Sequence, residues 1–162
     1  MATQKTGSRA QDAIALLKQD HKTMRELLTK LEEAEGRERQ STLKTIEHEL
    51  KVHTKIEEDI FYPAFREAAE EEEDKDLYFE ALEEHHVVDL VLPEIKDTEP
   101  DADEFKAKAK VLKDLVEHHA DEEETEMFPR AKKLMDRAQL MELGQQLADA
   151  KASLNEVAKA GR

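Results

Sequence analysis

Residues 53–63 read HTKIEEDIFYP, and residues 119–129 read HADEEETEMFP. Aligned without gaps, the two stretches share a histidine, two consecutive glutamates that begin four residues later, an aromatic residue and a proline. Residues four apart lie on one face of a helix, so His53 pairs with Glu57 and His119 pairs with Glu123. Two such faces turned toward each other would form a metal site.

The composition predicts long amphipathic helices. The 162 residues include 40% charged and only 4% aromatic residues, with four glycines, four prolines and no tryptophan. Strands favour the aromatic and β-branched residues, and the aromatic ones are scarce in this chain. The length suits one domain with a sizeable core. We therefore expect an all-α fold, an up-down-up-down four-helix bundle with an additional C-terminal helix.

The charge and the cysteine count exclude several classes of partner and cofactor. A net charge of -15 argues against nucleic acid and anionic membranes as partners, because both attract basic surfaces. The absence of cysteine excludes disulfides, thiolate ligands and iron–sulfur clusters, so a metal must be held by histidine and carboxylate. No signal peptide or apolar run of about 18 residues is visible, and a cytoplasmic location is expected.

Apolar residues at helical spacing divide the chain into three parts. Residues 1–9 are predicted to be a flexible N-terminus, residues 10–135 a four-helix bundle, and residues 136–162 a C-terminal helix and tail. The first helix ends at Gly36, and its buried face combines one histidine with apolar side chains. This face is formed by Ala10, Ile14, Leu17, His21, Met24, Leu28 and Leu31.

The next three helices are predicted at residues 40–69, from about residue 76, and at residues 103–135. The acidic run at 70–76 is interpreted as a helix end and loop, and Pro93 as a kink or end of the third helix. Asp136 is expected to cap the last helix. The buried faces carry Leu43, Ile46, Leu50, His53, Glu57, Ile60 and Ala64; then Tyr78, Ala81, His85, Val88, Leu92 and Ile95; then Leu112, Leu115, Val116, His119, Glu123 and Met127; and finally Leu140, Leu143, Leu147, Leu154 and Val157.

Six inward polar residues from four helices form the candidate metal set: His21, His53, Glu57, His85, His119 and Glu123. A core without a metal would leave these groups short of partners. Imidazoles and carboxylates together suit iron, with manganese or zinc as less favoured choices, and do not suit calcium. Histidines recur 64 and 66 residues apart along the chain, which indicates a duplicated helix pair and predicts two metal ions bridged by the two glutamates.

Other polar and aromatic residues near these positions have separate interpretations. His48 is expected on the surface, and His86 and His118 flank the site as alternative ligands or hydrogen-bond donors. Glu58 and Glu124 are interpreted as partners of ligands or as solvent-facing groups. The prolines at 63 and 129 are expected to bend their helices. Four further side chains are interpreted as core or pocket lining: Phe61, Tyr62, Met127 and Phe128.

Over residues 10–135 the chain resembles the hemerythrin superfamily, specifically its HHE cation-binding group. The resemblance implies an up-down bundle around two non-haem iron ions, which are bridged by two carboxylates and an oxo or hydroxo group. Matched by position, the six residues above supply histidines from every helix. Oxygen carriers of the superfamily have an acid five residues after the last histidine, which leaves the fourth-helix acid open between Glu123 and Glu124.

The sequence departs from the oxygen carriers at Ala81, where they have a second third-helix histidine. Either one iron has fewer ligands, or His86, Glu84 or Tyr78 takes that place. The resemblance implies binding or reaction of O2, peroxide or NO at an open iron position, in sensing or in oxidative or nitrosative stress. Whether this amounts to enzymatic turnover is left open. The alternatives are an iron store without turnover and a metal-free helical interaction module.

Overall fold

The computed structural model describes residues 10–161, and in this range the chain is all-α, with five helices and no strand. The predicted fold class is confirmed. Helix α1 is Ala13–Glu33. Helix α2 comprises Arg37–Ile56, a π-helical turn Glu57–Phe61, and Tyr62–Ala68. Helix α3 is Glu72–Lys96. Helix α4 comprises Asp103–Glu122, a π-helical turn Glu123–Met127, and Phe128–Leu134, and helix α5 is Arg137–Ala160. The flexible segment predicted for residues 1–9 lies outside the described residues.

Helices α1 to α4 form an up-down-up-down bundle. Short connections join consecutive helices, so each helix runs antiparallel to the one before it. Helix α1 packs against α2 and α4, and α3 packs against the same two neighbours. Helix α5 lies outside this bundle against α1 and α2. No helix among residues 10–161 is both long and apolar enough to span a lipid bilayer.

The connection between α1 and α2 differs from the sequence prediction. Helix α1 ends at Glu33, and Ala10, expected on its buried face, is exposed before the helix begins. Gly36 is the residue before α2 rather than the end of α1, and its φ of 52° lies in the left-handed region that glycine adopts without steric cost. The glycine therefore starts the second helix.

The acidic run at 70–76 was interpreted as a helix end and loop, which is wrong from Glu72 onward, where α3 begins. The Asp74 carboxylate accepts hydrogen bonds from the backbone N–H groups of Glu70 and Glu71, and Glu71 is the N-cap of α3. The Asp74 carboxylate also accepts a 2.7 Å hydrogen bond from Arg130 of α4. These contacts stabilise an acidic helix start, where negative charge also suits the helix dipole.

Pro93 was predicted to kink or end helix α3, and the helix continues through it to Lys96, so it does not end at the proline. A proline leaves the carbonyl four residues earlier without its helical partner, here that of Asp89. Both residues are exposed, so water can satisfy this carbonyl. The cost of the proline is low on this face.

The π-helical turns lie directly before Pro63 and Pro129. The backbone N–H of Tyr62 donates to the carbonyl of Glu57, and that of Phe128 to the carbonyl of Glu123, each five residues earlier. A turn of this kind contains one more residue than an α-helical turn and is frequent at functional sites. The irregularity expected at the prolines is therefore a widened turn that starts at each inward glutamate.

Two apolar clusters fill the bundle, one on each side of the six predicted residues. One cluster contains Leu17, Phe61, Tyr62, Phe65 and Phe128, and the other contains Leu28, Ile46, Leu92 and Leu112. All of these side chains are buried. Helix α5 extends the first cluster with Leu140 and Leu147, whereas Val157, which was expected on its buried face, is 68% exposed.

Helix α5 approaches the start of α1 closely at Gly144. A Cβ atom on Gly144 would lie 2.1 Å from the carbonyl oxygen of Gln11 and 2.7 Å from the carbonyl carbon of Asp12. Both atoms belong to the backbone, so neither can turn aside as a side chain would. The absence of a side chain at this position allows the two segments to touch.

We expect Gly144→Ala to lower the free energy of unfolding by about 1–3 kcal/mol, because the added methyl group forces the two backbones apart. Urea denaturation measures the loss. Gly161→Ala is the control, since its Cβ would lie 3.7 Å from the nearest atom, the carbonyl oxygen of Val157. An equal effect of both substitutions would contradict the close contact.

Candidate metal centre

The six predicted residues meet in the middle of the bundle. Helix α1 supplies His21, α2 supplies His53 and Glu57, α3 supplies His85, and α4 supplies His119 and Glu123. Every one of them is buried, with exposed fractions between 0% and 7%. Residue 86 is exposed, so the choice of His85 over His86 as the inward histidine is confirmed.

Glu57 lies between two pairs of histidines. Its Oε1 atom is 2.7 Å from Nε2 of His53 and 3.9 Å from Nε2 of His21. Its Oε2 atom is 3.1 Å from Nε2 of His85 and 3.9 Å from Nε2 of His119. One oxygen of this carboxylate therefore faces each pair.

The carboxylate of Glu123 also faces both pairs of histidines, with one oxygen toward each. Its Oε2 atom lies 3.1 Å from Nε2 of His21, and its Oε1 atom lies 3.4 Å from Nε2 of His119. Ligand atoms of His21, His53, Glu57 and Glu123 all lie within 4.8 Å of one another, and those of Glu57, His85 and His119 do so as well. The cluster thus contains two overlapping groups that share Glu57.

Hydrogen bonds within the protein do not satisfy this cluster. Five buried side-chain atoms among residues 10–161 lack a hydrogen-bond partner, and four of them belong to the cluster: Nε2 of His21, Nε2 of His53, Oε1 of Glu57 and Oε2 of Glu123. These atoms are close together but are not aligned as donors and acceptors. Two ligands at right angles on one metal ion lie about 3 Å apart, because metal–nitrogen and metal–oxygen bonds are about 2.1 Å long. The residues present therefore fit a cation.

Each of the four inward histidines donates a hydrogen bond from its outer nitrogen, Nδ1, to a carboxylate on another helix. The Nδ1 atoms of His21, His53, His85 and His119 lie 2.8–3.0 Å from carboxylate oxygens of Glu124, Asp20, Glu58 and Glu84, respectively. The pairs connect α1 to α4, α2 to α1, α3 to α2, and α4 to α3. A carboxylate can only accept, so Nδ1 carries the proton and Nε2 faces the cluster.

Sequence reasoning identified only part of this outer ring. Glu58 and Glu124 were interpreted as partners of ligands or as solvent-facing groups, and both contact a histidine. Asp20 was missed, and Glu84 was considered only as a replacement ligand. The sequence does contain a signal for these two residues. Asp20 and Glu84 each immediately precede an inward histidine, His21 or His85, at corresponding positions of the repeated helix pair.

The flanking histidines lie outside the cluster. His118 is 63% exposed, and its Nε2 atom lies 3.2 Å from Glu122 and 3.5 Å from Glu84. His48 is half-buried rather than fully exposed, because its Nε2 atom lies 2.9 Å from the side-chain oxygen of Asn155 on α5. Neither histidine reaches the six central residues.

Tyr62 belongs to the cluster, although it was interpreted only as core or pocket lining. Its hydroxyl oxygen lies 2.5 Å from Oε1 of Glu123 and 3.0 Å from Oε2 of Glu57. It is also 3.2 Å from Nε2 of His85 and 3.4 Å from Nε2 of His119. The π-helical turn explains this contact, because a five-residue turn brings residue 62 over residue 57.

The aromatic residue that corresponds to Tyr62 in the second stretch is Phe128. Its ring stacks on His21 with 5.8 Å between the ring centres, and it carries no polar atom. The His85 and His119 half of the cluster therefore has a phenol oxygen beside it, whereas the His21 half has a phenyl ring. The phenol also lies beside His85, one helical turn after Ala81, the position where the resemblance to oxygen carriers leads one to expect a further histidine.

A small apolar cavity adjoins the cluster on the side of the second apolar cluster. Its volume is about 30 Å³. The surface that faces the cavity is apolar, and its lining is formed by the four inward histidines, Asp20, Met24, Leu50, Thr54, Val88, Val116 and Ala120. About 10–15 Å³ of such volume holds one water molecule, so the cavity has room for a diatomic molecule or a peroxide.

The buried carboxylates change the acidity of the imidazoles. Burial alone would lower the pKa of His21, but the carboxylates of Glu123 and Glu57 beside the ring raise its pKa to about 9. Burial likewise opposes the charge of His53, while Glu57 and Asp20 raise its pKa to about 10. In the metal-free protein both imidazoles therefore carry a second proton at neutral pH.

A model of the hemerythrin HHE cation-binding domain matches residues 12–131. The chain belongs to this family. The hemerythrin HHE domain accounts for most of the chain, including all six central residues and their four carboxylate partners. This membership and the buried histidine–glutamate cluster both indicate a metal-binding protein.

Two similar proteins extend the comparison, and the first of them is described as an HHE protein. A crystal structure of a hemerythrin HHE cation-binding domain-containing protein from Mycobacterium kansasii superposes with a TM-score of 0.81 at 29% identity, covering 93% of this chain and 91% of that one. A curated protein of Nostoc sp. named DNA nickase is 26% identical over 142 residues. The match covers 87% of this chain but only 39% of the relative's length.

We expect metal binding near neutral pH to release protons from His21 and His53, because a metal ligand must be a neutral imidazole. With pKa values raised to about 9 and about 10, both groups are protonated below those values and the metal must displace the protons. Affinity should therefore rise as the pH approaches this range. Calorimetric titration of Zn2+ into metal-free protein, in buffers of different ionisation enthalpy, counts the protons released.

The matched control is His86→Gln, which alters an exposed histidine one residue from the cluster. This variant should release the same number of protons as the wild type. Heats of binding that do not depend on the buffer would contradict the assignment of protonated inner imidazoles.

Proposed function

We propose that the chain is a non-haem di-iron protein that binds or reacts with O2, peroxide or NO, in sensing or in oxidative or nitrosative stress response. The observation that carries the proposal is the division of Glu57 and Glu123 between two histidine pairs. Each carboxylate directs one oxygen to each pair, as a bridge between two cations would. A single ion would use only one of these pairs.

The donor types favour iron over other metals. The donors are four imidazoles, two carboxylates and one phenol oxygen. This combination of nitrogen with hard oxygen donors suits iron. Calcium prefers oxygen ligands alone, and structural zinc prefers four tetrahedral ligands for each ion. Two zinc or manganese ions remain the competing assignment.

The chain's own residues give the two positions different surroundings. His21 and His53 would hold one ion and His85 and His119 the other, with both glutamates shared. The Tyr62 hydroxyl would add an oxygen only to the second position, and so the first is the better candidate for an exogenous ligand. When bound, iron supplies a Lewis acid and a source of electrons for small oxidants.

The apolar cavity supports a small ligand. Met24, Leu50, Val88 and Val116 offer no hydrogen bonds to water, and about 30 Å³ excludes a substrate with more than a few atoms. Ordered water needs two to four polar partners, so an apolar diatomic molecule suits this lining better than a water cluster does. These walls would also limit side reactions with bulk water.

The activity named for the Nostoc relative, DNA nicking, is not part of the function proposed for this chain. Only 39% of that protein's length is matched. A net charge of -15 opposes the approach of a polynucleotide, which binds to basic surfaces. We therefore propose no activity on DNA.

We expect anaerobic reconstitution with Fe2+ to yield two iron ions per chain, and Glu57→Gln to weaken binding at both positions because this glutamate would be shared between them. His53→Leu and His119→Leu should each impair one position. Metal analysis of the desalted protein gives the stoichiometry. The oxidised protein should also show ligand-to-metal absorption bands, which a zinc protein lacks.

His86→Leu is the matched control and should retain both ions, because the residue is exposed. No more than trace iron in the wild type would reject the proposal. If replacing both His53 and His119 with leucine kept or raised the stability of reconstituted protein, a metal-free helical module would replace it. Repeated cycling of the ferrous protein with O2 or peroxide supports the reactive function, whereas one slow oxidation supports iron storage.

A further inference from the structure

Helix α5 reaches the metal centre through one lysine. The ammonium group of Lys151 donates to Oδ1 of Asp20, and the other oxygen of that carboxylate accepts a 3.0 Å hydrogen bond from Nδ1 of His53. Asp20 is 9% exposed, whereas Lys151 is 30% exposed. A chain of three side chains thus runs from the surface helix to an inward imidazole.

Helix α5 is anchored on both sides of this lysine. Seven residues before it, Gly144 touches the backbone at the start of α1. Four residues after it, the side chain of Asn155 lies 2.9 Å from His48 of α2. The backbone that carries Lys151 is therefore held against the same two helices that supply Asp20 and His53.

The outer carboxylates differ between the halves of the cluster. Glu124, the partner of His21, accepts a 3.1 Å hydrogen bond from Arg25. Asp20, the partner of His53, has Lys151. Within residues 10–161, neither Glu58 nor Glu84 forms an ion pair with a lysine or an arginine. Fixed cations therefore hold the outer carboxylates of only the His21 and His53 half.

We propose that Lys151 is a positioning residue of the metal centre, holding the Asp20 carboxylate against Nδ1 of His53 so that Nε2 of this ring keeps its direction toward the cation. The proposal rests on the proposed metal-binding function. A histidine ligand depends on the partner of its other nitrogen for orientation, and loss of that partner weakens metal binding. Lys151 does not contact the histidine and acts on it indirectly, by fixing the carboxylate of Asp20.

The alternative role for Lys151 is general docking of α5 on the bundle. The two roles differ in one respect. A lysine that docks α5 through contacts other than Asp20, such as packing of its aliphatic stem, still contributes when Asp20 is replaced, whereas a positioning lysine affects the metal only through Asp20. A double-mutant cycle separates them, because substitutions that act through one contact are not additive.

The test measures Co2+ binding to metal-free protein by competition with a chromophoric chelator, together with the visible spectrum of bound Co2+. Lys151→Met should weaken binding by about three- to tenfold, less than the 10- to 100-fold typical of losing the carboxylate partner itself, as in Asp20→Ala. Lys151→Met should add no further loss in the Asp20→Ala background. Lys151→Arg should restore wild-type affinity and spectrum.

The matched control is Lys159→Met, which removes an exposed lysine from the same helix and should leave affinity unchanged. Lys151→Gln provides a second neutral variant in case the methionine variant does not fold, and thermal unfolding checks both. In metal-free protein labelled with 15N-histidine, the Nδ1 resonance of His53 should move in Lys151→Met and Lys151→Gln but not in Lys151→Arg or Lys159→Met. This measurement does not depend on metal.

Wild-type affinity and an unchanged His53 resonance in Lys151→Met would overturn the proposal. An equal loss of affinity in the presence and absence of the Asp20 carboxylate would also overturn it, in favour of general docking. If the wild type takes up no Co2+, the proposed function itself fails. If the wild type binds Co2+ and Lys151→Met binds it with the same affinity, only the role of the lysine is refuted.

Discussion

The burial of two carboxylates inside an apolar bundle is the constraint on which the rest of the structure depends. Moving an ionised carboxylate out of water costs several kcal/mol unless opposite charge and hydrogen bonds replace the lost hydration. Glu57 and Glu123 are 0% and 2% exposed, and imidazoles of all four bundle helices converge on them. The apolar clusters above and below keep this polar layer away from water. The outer carboxylates then hold each imidazole by its second nitrogen, so the layer also ties neighbouring helices together.

The sequence predicts the fold class and the inner residues because both depend on helical periodicity. A histidine followed four residues later by a glutamate appears on one face whatever the tertiary structure, and an apolar stripe shows which face is buried. The outer ring depends instead on how neighbouring helices cross. Asp20 lies one residue from His21 on the helix, yet it serves His53 of α2. Periodicity along one helix does not reveal a partner on another.

The remaining errors have local causes that the pattern of apolar residues does not show. The start of α3 depends on a capping contact of Asp74 and an ion pair with Arg130 of another helix. The continuation through Pro93 depends on which side of α3 faces water. Tyr62 was underestimated because α-helical spacing places Phe61, rather than Tyr62, over Glu57. Only the five-residue turn, which the structure reveals, turns the tyrosine hydroxyl toward the carboxylate.

The contrast between Tyr62 and Phe128 has a consequence for the internal repeat. Two identical helix pairs, assembled as separate subunits around a twofold axis, would have to carry the same aromatic residue in both copies. Here both pairs belong to one polypeptide, so each copy varies independently. The molecule retains the paired arrangement of a symmetric dimer, and yet the two halves of its histidine–glutamate cluster differ in polarity. A tandem arrangement of this kind provides chemical asymmetry that no homodimer of the half-sized unit could encode.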